Sequence, residues 1–241
     1  MHVAMITGGG SLIGEAIAQC LNEAGWHVAI TDINVDHANQ VAAGLPEPAR
    51  SEVHRMDVTK PDEVAGVIEA IKARHGGFDA LVNVAGGGRG IGIPKKDFID
   101  FTIEEQDRML EINLKGVLNC CRSVLPDMIA RKRGGIVSIT AARGLRGGPQ
   151  ASIYSASKAA IIAFTQSLSQ EVGRHGIRVN TVAPGNTAAR WKKDIDSETR
   201  SPLGTPTSPR DVGNAVAFLL SEQASHITGS CLDVSGGTAL H

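Results

Sequence analysis

The chain is poor in aromatic side chains: its 241 residues include five Phe, two Trp and a single tyrosine, Tyr154. Glycine, by contrast, occurs 28 times, so many tight turns and close backbone approaches are expected. Cysteine is scarce too. Cys20, Cys120, Cys121 and Cys231 form no Cys-x-x-Cys pair. That spacing argues against a disulfide framework and fits a reducing, cytoplasmic setting. Cys20 and Cys120 fall within helical patterns and read as small buried apolar groups. Excess charge is also lacking, with 24 Lys+Arg against 25 Asp+Glu. No global field would draw the chain to nucleic acid or to an anionic membrane. No apolar run approaches the ~20 residues of a membrane span. The opening run Val3–Ile6 is too short for a signal sequence and lacks a basic flank. The eight histidines show neither His-x-x-x-His nor His-Glu-x-x-His spacing, so no metal site is expected.

What is present is a strand–helix alternation. Hydrophobic residues make up 42 % and charged residues 20 %, as in an ordinary soluble domain. Strands are predicted at Val3–Thr7, His27–Thr31, Ser51–Met56, Ala80–Asn83, Gly135–Ile139, Arg178–Ala183 and Cys231–Val234. Amphipathic helical stretches include Ser11–Ala24, Asp62–Arg74, Ile103–Ala130 and Ser152–Gly173. Gly25 would stop the first helix. Pro61 would open another after Thr59, a candidate cap, and Pro209 would open the last behind Ser208. This order predicts one α/β domain over residues 1–241: a doubly wound Rossmann fold with a single parallel sheet of about seven strands and helices on both faces. The polar stretch 184–208, containing Trp191, Lys192 and Lys193, is expected to be a substrate-binding loop.

Thr7-Gly8-Gly9-Gly10-Ser11-Leu12-Ile13-Gly14 follows the first strand and opens the first helix. A Gly-rich turn there aims backbone N–H groups and the helix N-terminus at a pyrophosphate. Asp32 ends the second strand, 18 residues after Gly14. Its carboxylate suits the ribose hydroxyls and opposes a 2′-phosphate, and Ile33 and Asn34 supply no cation. The cofactor is therefore expected to be NAD.

With these pieces in order, the chain resembles the short-chain dehydrogenase/reductase family along nearly its whole length, in its 3-oxoacyl-reductase-like branch. The resemblance also rests on Asp57-Val58, Asn83-Val84-Ala85-Gly86, Asn113-Leu114-Lys115-Gly116, Tyr154-Ser155-Ala156-Ser157-Lys158, Arg178-Val179-Asn180, Pro184-Gly185, Ile227-Thr228-Gly229 and Gly236-Gly237. It implies hydride transfer on a secondary alcohol or ketone, a small-molecule substrate and a homotetramer. It implies that Asp57 and Val58 hold adenine and that Asn83, Ala85 and Gly86 line the cofactor. Asn113 would hold a relay water, Tyr154 would be the acid/base, and Lys158 its partner.

The chemistry suits those residues. Tyr154 and Lys158 are four apart, hence on one helix face. A phenol titrates near pH 10, and a nearby ammonium favours phenolate. Three departures stand against the pattern. Ala141 occupies the place, thirteen residues before Tyr154, where the family has serine, with Thr140 adjacent as a substitute donor. Leu12 replaces a glycine and is expected to turn inward. Thr187 comes two residues early for the carboxamide contact after Pro184-Gly185, where Ala189 now stands. Arg143, with Arg89, Arg146, Arg190, Lys192 and Lys193, suggests an anionic substrate such as a hydroxy- or keto-acid or an acyl thioester. Solvated loop charge accounts for these residues equally well. Two other functions stay open: a dinucleotide-binding protein with little redox activity, and a lyase or hydrolase that reuses the site.

Overall fold

A computed structural model describes residues 2–187 and 201–239. Its elements run β1 (Val3–Thr7), α1 (Leu12–Glu23), β2 (His27–Asp32), α2 (Val35–Ala43), β3 (Ser51–Arg55), α3 (Pro61–His75), β4 (Ala80–Asn83), α4 (Ile103–Leu110), α5 (Gly116–Arg131), β5 (Gly134–Ile139), α6 (Ala142–Arg146), α7 (Ser152–Val172), β6 (Ile177–Pro184), α8 (Pro209–Leu220) and β7 (Cys231–Val234). The strands form one seven-stranded sheet in the order β3-β2-β1-β4-β5-β6-β7. Every pairing is parallel. All seven predicted strands are present, with ends that agree or shift by one residue.

Alternation along each strand feeds two cores. In β1, Val3 and Met5 pack with α3, α5 and α7 through Val64, Ile68, Val124, Met128 and Ile161. Ala4 and Ile6 face α1, α2 and α8 through Ile17, Leu21, Val41, Val212 and Val216. β1 is fully buried, as the central strand of a doubly covered sheet must be. Cys20, Cys120 and Cys121 are buried free thiols.

The helix ends follow local chemistry. Ser208 caps α8, accepting from Asp211 N while the Asp211 carboxylate accepts from Ser208 N. Thr59 does not cap α3. Its hydroxyl donates to Asp57 Oδ1 at 2.7 Å, and Lys60 holds the cap position without a side-chain bond. The stretch Ile103–Ala130 is two helices, with a π turn over Glu111–Lys115 between them. The sequence reading lacked α2 and α6. Both are short, and α6 rests on Ala142, Leu145 and a glycine, too few apolar residues to show a period.

Strand order reverses between β1 and β4, because β1 pairs with β2 on one side and β4 on the other. Ligands in open α/β sheets bind at such a point, beyond the carboxyl ends of the strands. Two cavities open there.

Candidate active site

The larger cavity, of about 670 Å³, is lined by Gly8, Ser11, Asp32, Ile33, Asp57, Val58, Ala85 and Gly86 among others. The turn that forms its floor requires glycine. Gly8 has φ +62°, and a Cβ there would lie 2.7 Å from the Ala85 backbone. Ser11 caps α1 by accepting from Gly14 N at 3.1 Å and donates to Gly8 O at 2.7 Å. At Gly14 a Cβ would overlap Gly8 O and Gly9, so the helix start packs directly on the turn. Asp32 braces the same turn: Oδ2 accepts from Gly10 N at 2.9 Å and Oδ1 from Asn34 N at 2.8 Å. A backbone cradle, a helix N-terminus and a carboxylate at the end of β2 thus share one opening, which fits a dinucleotide.

Several expected cofactor residues sit differently. Asn83 is buried and points away from the cavity, donating to Ser138 Oγ at 3.1 Å and lying 3.6 Å from Cys121 Sγ. Leu12 does not turn inward. It is 39 % exposed, while Ile13 takes the inward place against the core. Asp57 reaches the cavity, though Oδ1 already accepts two bonds from Thr59.

The smaller cavity, of about 300 Å³, adjoins Tyr154 and is lined by Ala141, Arg143, Arg146, Met109, Phe101, Pro184, Gly185 and Thr238 among others. Tyr154 lies in the first turn of α7 and packs with Ile93, Phe101 and Met109. One turn on, Lys158 is buried, and its Nζ donates to Ile139 O at 2.9 Å. That ammonium is 5.9 Å from the Tyr154 ring centroid.

Gly86 joins these parts. It has φ +145°, and a Cβ there would meet Asn113 Oδ1 and stand 3.4 Å from Lys158 Nζ. Asn113 is wholly buried in the π turn, a distortion that often marks functional sites. Its Oδ1 accepts from Gly87 N at 2.8 Å, and its Nδ2 donates to Gly87 O and Met109 O. One amide N–H is therefore committed to the strap after β4 and the other to the end of α4. The side chain works as a clamp on the strap after β4.

The electrostatics also depart from expectation. Burial pushes the Tyr154 phenol above its ordinary value, and the Arg143 guanidinium pulls it back. Burial pushes Lys158 down to about 8. Lys158 is thus a desolvated ammonium that still carries its charge at pH 7.

Thr140 is not a replacement for the missing serine. Its hydroxyl donates to Val182 O at 3.0 Å, and the residue is buried against β6. Consecutive residues at a strand end point to opposite sides, so Ala141 faces the cavity and Thr140 faces away. Thr187 donates to Gly185 O at 3.3 Å and bridges to Thr207. Trp191, together with Ala189, Arg190, Lys192 and Lys193, lies outside the described residues, as does much of the 184–208 stretch.

A family model described as enoyl-(acyl carrier protein) reductase matches residues 10–239. The chain belongs to the short-chain dehydrogenase/reductase family. It is 36 % identical over 245 residues to the 3-oxoacyl-(acyl-carrier-protein) reductase of Chlamydia muridarum, covering 98 % of this chain and 96 % of that one. It is also 36 % identical over 251 residues to the 4-formylbenzenesulfonate dehydrogenase of Comamonas testosteroni, covering 98 % and 97 %. The crystal structure of a 3-ketoacyl-(acyl-carrier-protein) reductase from Brucella melitensis, complexed with NADH, superposes with a TM-score of 0.91 at 29 % identity, covering 99 % and 98 %. This short-chain dehydrogenase/reductase is accordingly an oxidoreductase of the alcohol–carbonyl type, in the 3-oxoacyl-reductase-like branch. No helix among its described residues is long and apolar enough to cross a membrane.

The sequence reading missed the apolar wall of the smaller cavity, formed by Ile93, Phe101 and Met109. Phe101 lies in an irregular segment and Met109 at the end of α4, so no periodic signal marked them.

Proposed function

We propose that this protein is an NAD-dependent dehydrogenase/reductase that interconverts a secondary alcohol and a ketone on an anionic substrate. The observation that carries the reading is that Tyr154 and Arg143 line one small cavity beside the dinucleotide cavity. A bound nicotinamide dinucleotide supplies the hydride acceptor or donor. Tyr154 Oη takes the alcohol proton on oxidation and returns it on reduction. Lys158, fixed by Ile139 O, sits behind Tyr154 and beside Gly86, placed to hold the nicotinamide ribose. The Gly8–Gly14 turn seats the pyrophosphate. Ile93, Phe101 and Met109 exclude water from the reacting carbon.

NAD is favoured over NADP by Asp32. Its carboxylate is held at the mouth of the cavity by two backbone N–H groups, and the neighbouring Ile33 is 61 % exposed and uncharged. An anionic substrate is favoured by Arg143 and Arg146 in the smaller cavity. One relative is named for a substrate bearing a sulfonate. Assembly into a homotetramer belongs to the same reading, with Phe98, Ile99 and Ile103 exposed beside α4, and light scattering tests it.

Absorbance at 340 nm, followed with NAD or NADP and paired substrates that differ by a carboxylate or its methyl ester, tests the proposal. NAD and the free acid should be preferred. Arg143→Leu should raise KM for the acid far more than for the ester. Preference for NADP, or equal effects on acid and ester, removes the corresponding part. Ala141 supports a second reading, a dinucleotide-binding protein with slow redox chemistry. Tight NAD binding with silence across a broad alcohol panel would favour it. Product formation without net NADH would favour a lyase or hydrolase.

A further inference from the structure

At the opposite end of the sheet, three side chains distant in sequence converge. His27 opens β2, Glu52 is the second residue of β3, and His75 ends α3. Parallel pairing sets Ala29 beside Glu52, so His27, Ala29 and Glu52 project on the face that α3 covers. His75 Nε2 lies 2.9 Å from Glu52 Oε1, and His27 Nε2 lies 3.8 Å from the same oxygen. The two imidazole rings are 4.2 Å apart between centroids. One nitrogen from each histidine and one Glu52 oxygen all lie within 4.8 Å of one another.

His27 is 6 % exposed, and its Nε2 has no hydrogen-bond partner. A buried polar atom left in that state is costly, and it points at the carboxylate. Ligand atoms around tetrahedral zinc, each about 2.0–2.1 Å from the ion, stand about 3.3 Å apart. The separations of 2.9 and 3.8 Å bracket that figure. The other carboxylate oxygen, Oε2, faces His54 Nε2 at 3.5 Å and Arg74 Nη1 at 3.2 Å. Arg74 is 69 % exposed, so its charge is largely screened, and it can orient the carboxylate from behind as outer partners of metal ligands do.

We propose that His27, Glu52 and His75 form a zinc site, with water in the fourth position, that ties the end of α3 to the β2–β3 edge. Two imidazoles and one carboxylate suit zinc rather than magnesium or calcium. None of the three lines either cavity, so the site is separate from the reaction centre.

The test uses the full chain stripped with chelator, then titrated with zinc and separately with cobalt. One zinc per chain should be retained after gel filtration, and cobalt should give the intense visible bands of a four-coordinate site. His75→Gln keeps a polar contact to Glu52 but should weaken zinc roughly 100-fold or more, beyond the usual loss from an outer partner. Activity at 340 nm should be unchanged. Glu52→Gln serves as the second variant should His75→Gln unfold. A wild-type chain that retains no zinc overturns the proposal. So does zinc bound equally well by either folded variant, because the metal would then lie elsewhere.

Discussion

The Thr140 hydroxyl donates to the Val182 carbonyl at 3.0 Å, which leaves Ala141 as the cavity-facing residue with no oxygen to offer. A preorganised donor at such a place is typically worth on the order of 10²–10³ in rate. Ala141→Ser should therefore raise kcat by about 10²-fold with little change in KM for NAD. Thr140→Val should leave kcat unaltered and cost about 1 kcal/mol of stability, measured by denaturant unfolding. An unchanged kcat in Ala141→Ser would mean that the substrate brings its own polarising group.

Tyr154 is the proton-carrying group of the smaller cavity, so Tyr154→Phe isolates its hydroxyl. Packing against Phe101 and Met109 is retained in that variant. Turnover should fall by about 10²–10⁴-fold while NAD affinity, read by fluorescence titration, stays at the wild-type value. Turnover at the wild-type rate would remove Tyr154 from the reaction.

Lys158 makes stability depend on pH. Its folded value is about 8, against about 10.4 for a free lysine. Between those values the unfolded chain binds more protons, so stability rises with pH across that window. Below about 8 the full cost of the buried ammonium is present. Lys158→Met should thus be more stable than wild type at pH 7, on the order of 2 kcal/mol after allowing for the lost bond to Ile139 O. The gap should narrow toward pH 10. Equal melting temperatures at pH 7, or a gap that widens with pH, would contradict this reading. The same variant should lose activity, which sets stability against function at one residue.

Asp32 serves both the turn and the cofactor preference. Asp32→Asn keeps one acceptor for Gly10 N but removes the charge. The ratio of kcat/KM for NAD over that for NADP should fall roughly 10- to 100-fold, the worth of a charged hydrogen bond. A ratio that does not move would place cofactor choice elsewhere in the cavity.

The strands were legible because buried parallel strands are short apolar runs between turn residues, and Val3–Thr7 has the same bounds in both readings. The Gly-rich turn was legible because Gly8 and Gly14 are needed where a Cβ would strike Ala85 or the turn itself. Asn113 was legible as a site residue, but its side-chain clamp was not. Its clamp on Gly87 depends on the π turn, and a helical pattern over Ile103–Ala130 carries no mark of one extra residue in a turn. The directions of Asn83 and Leu12 are not legible in the sequence. Which way a side chain turns at the end of a strand or the start of a helix depends on neighbours from other elements.

By itself the sequence determined the parallel sheet, its two covering layers and the pairing of Tyr154 with Lys158, because each follows from periodicity within a short segment. The tertiary structure alone decided that Thr140 bonds β6 instead of facing substrate, that burial raises the phenol, and that His27 meets Glu52 and His75. Those outcomes depend on strand register and on the loss of water around a side chain, and both are set by residues far away along the chain.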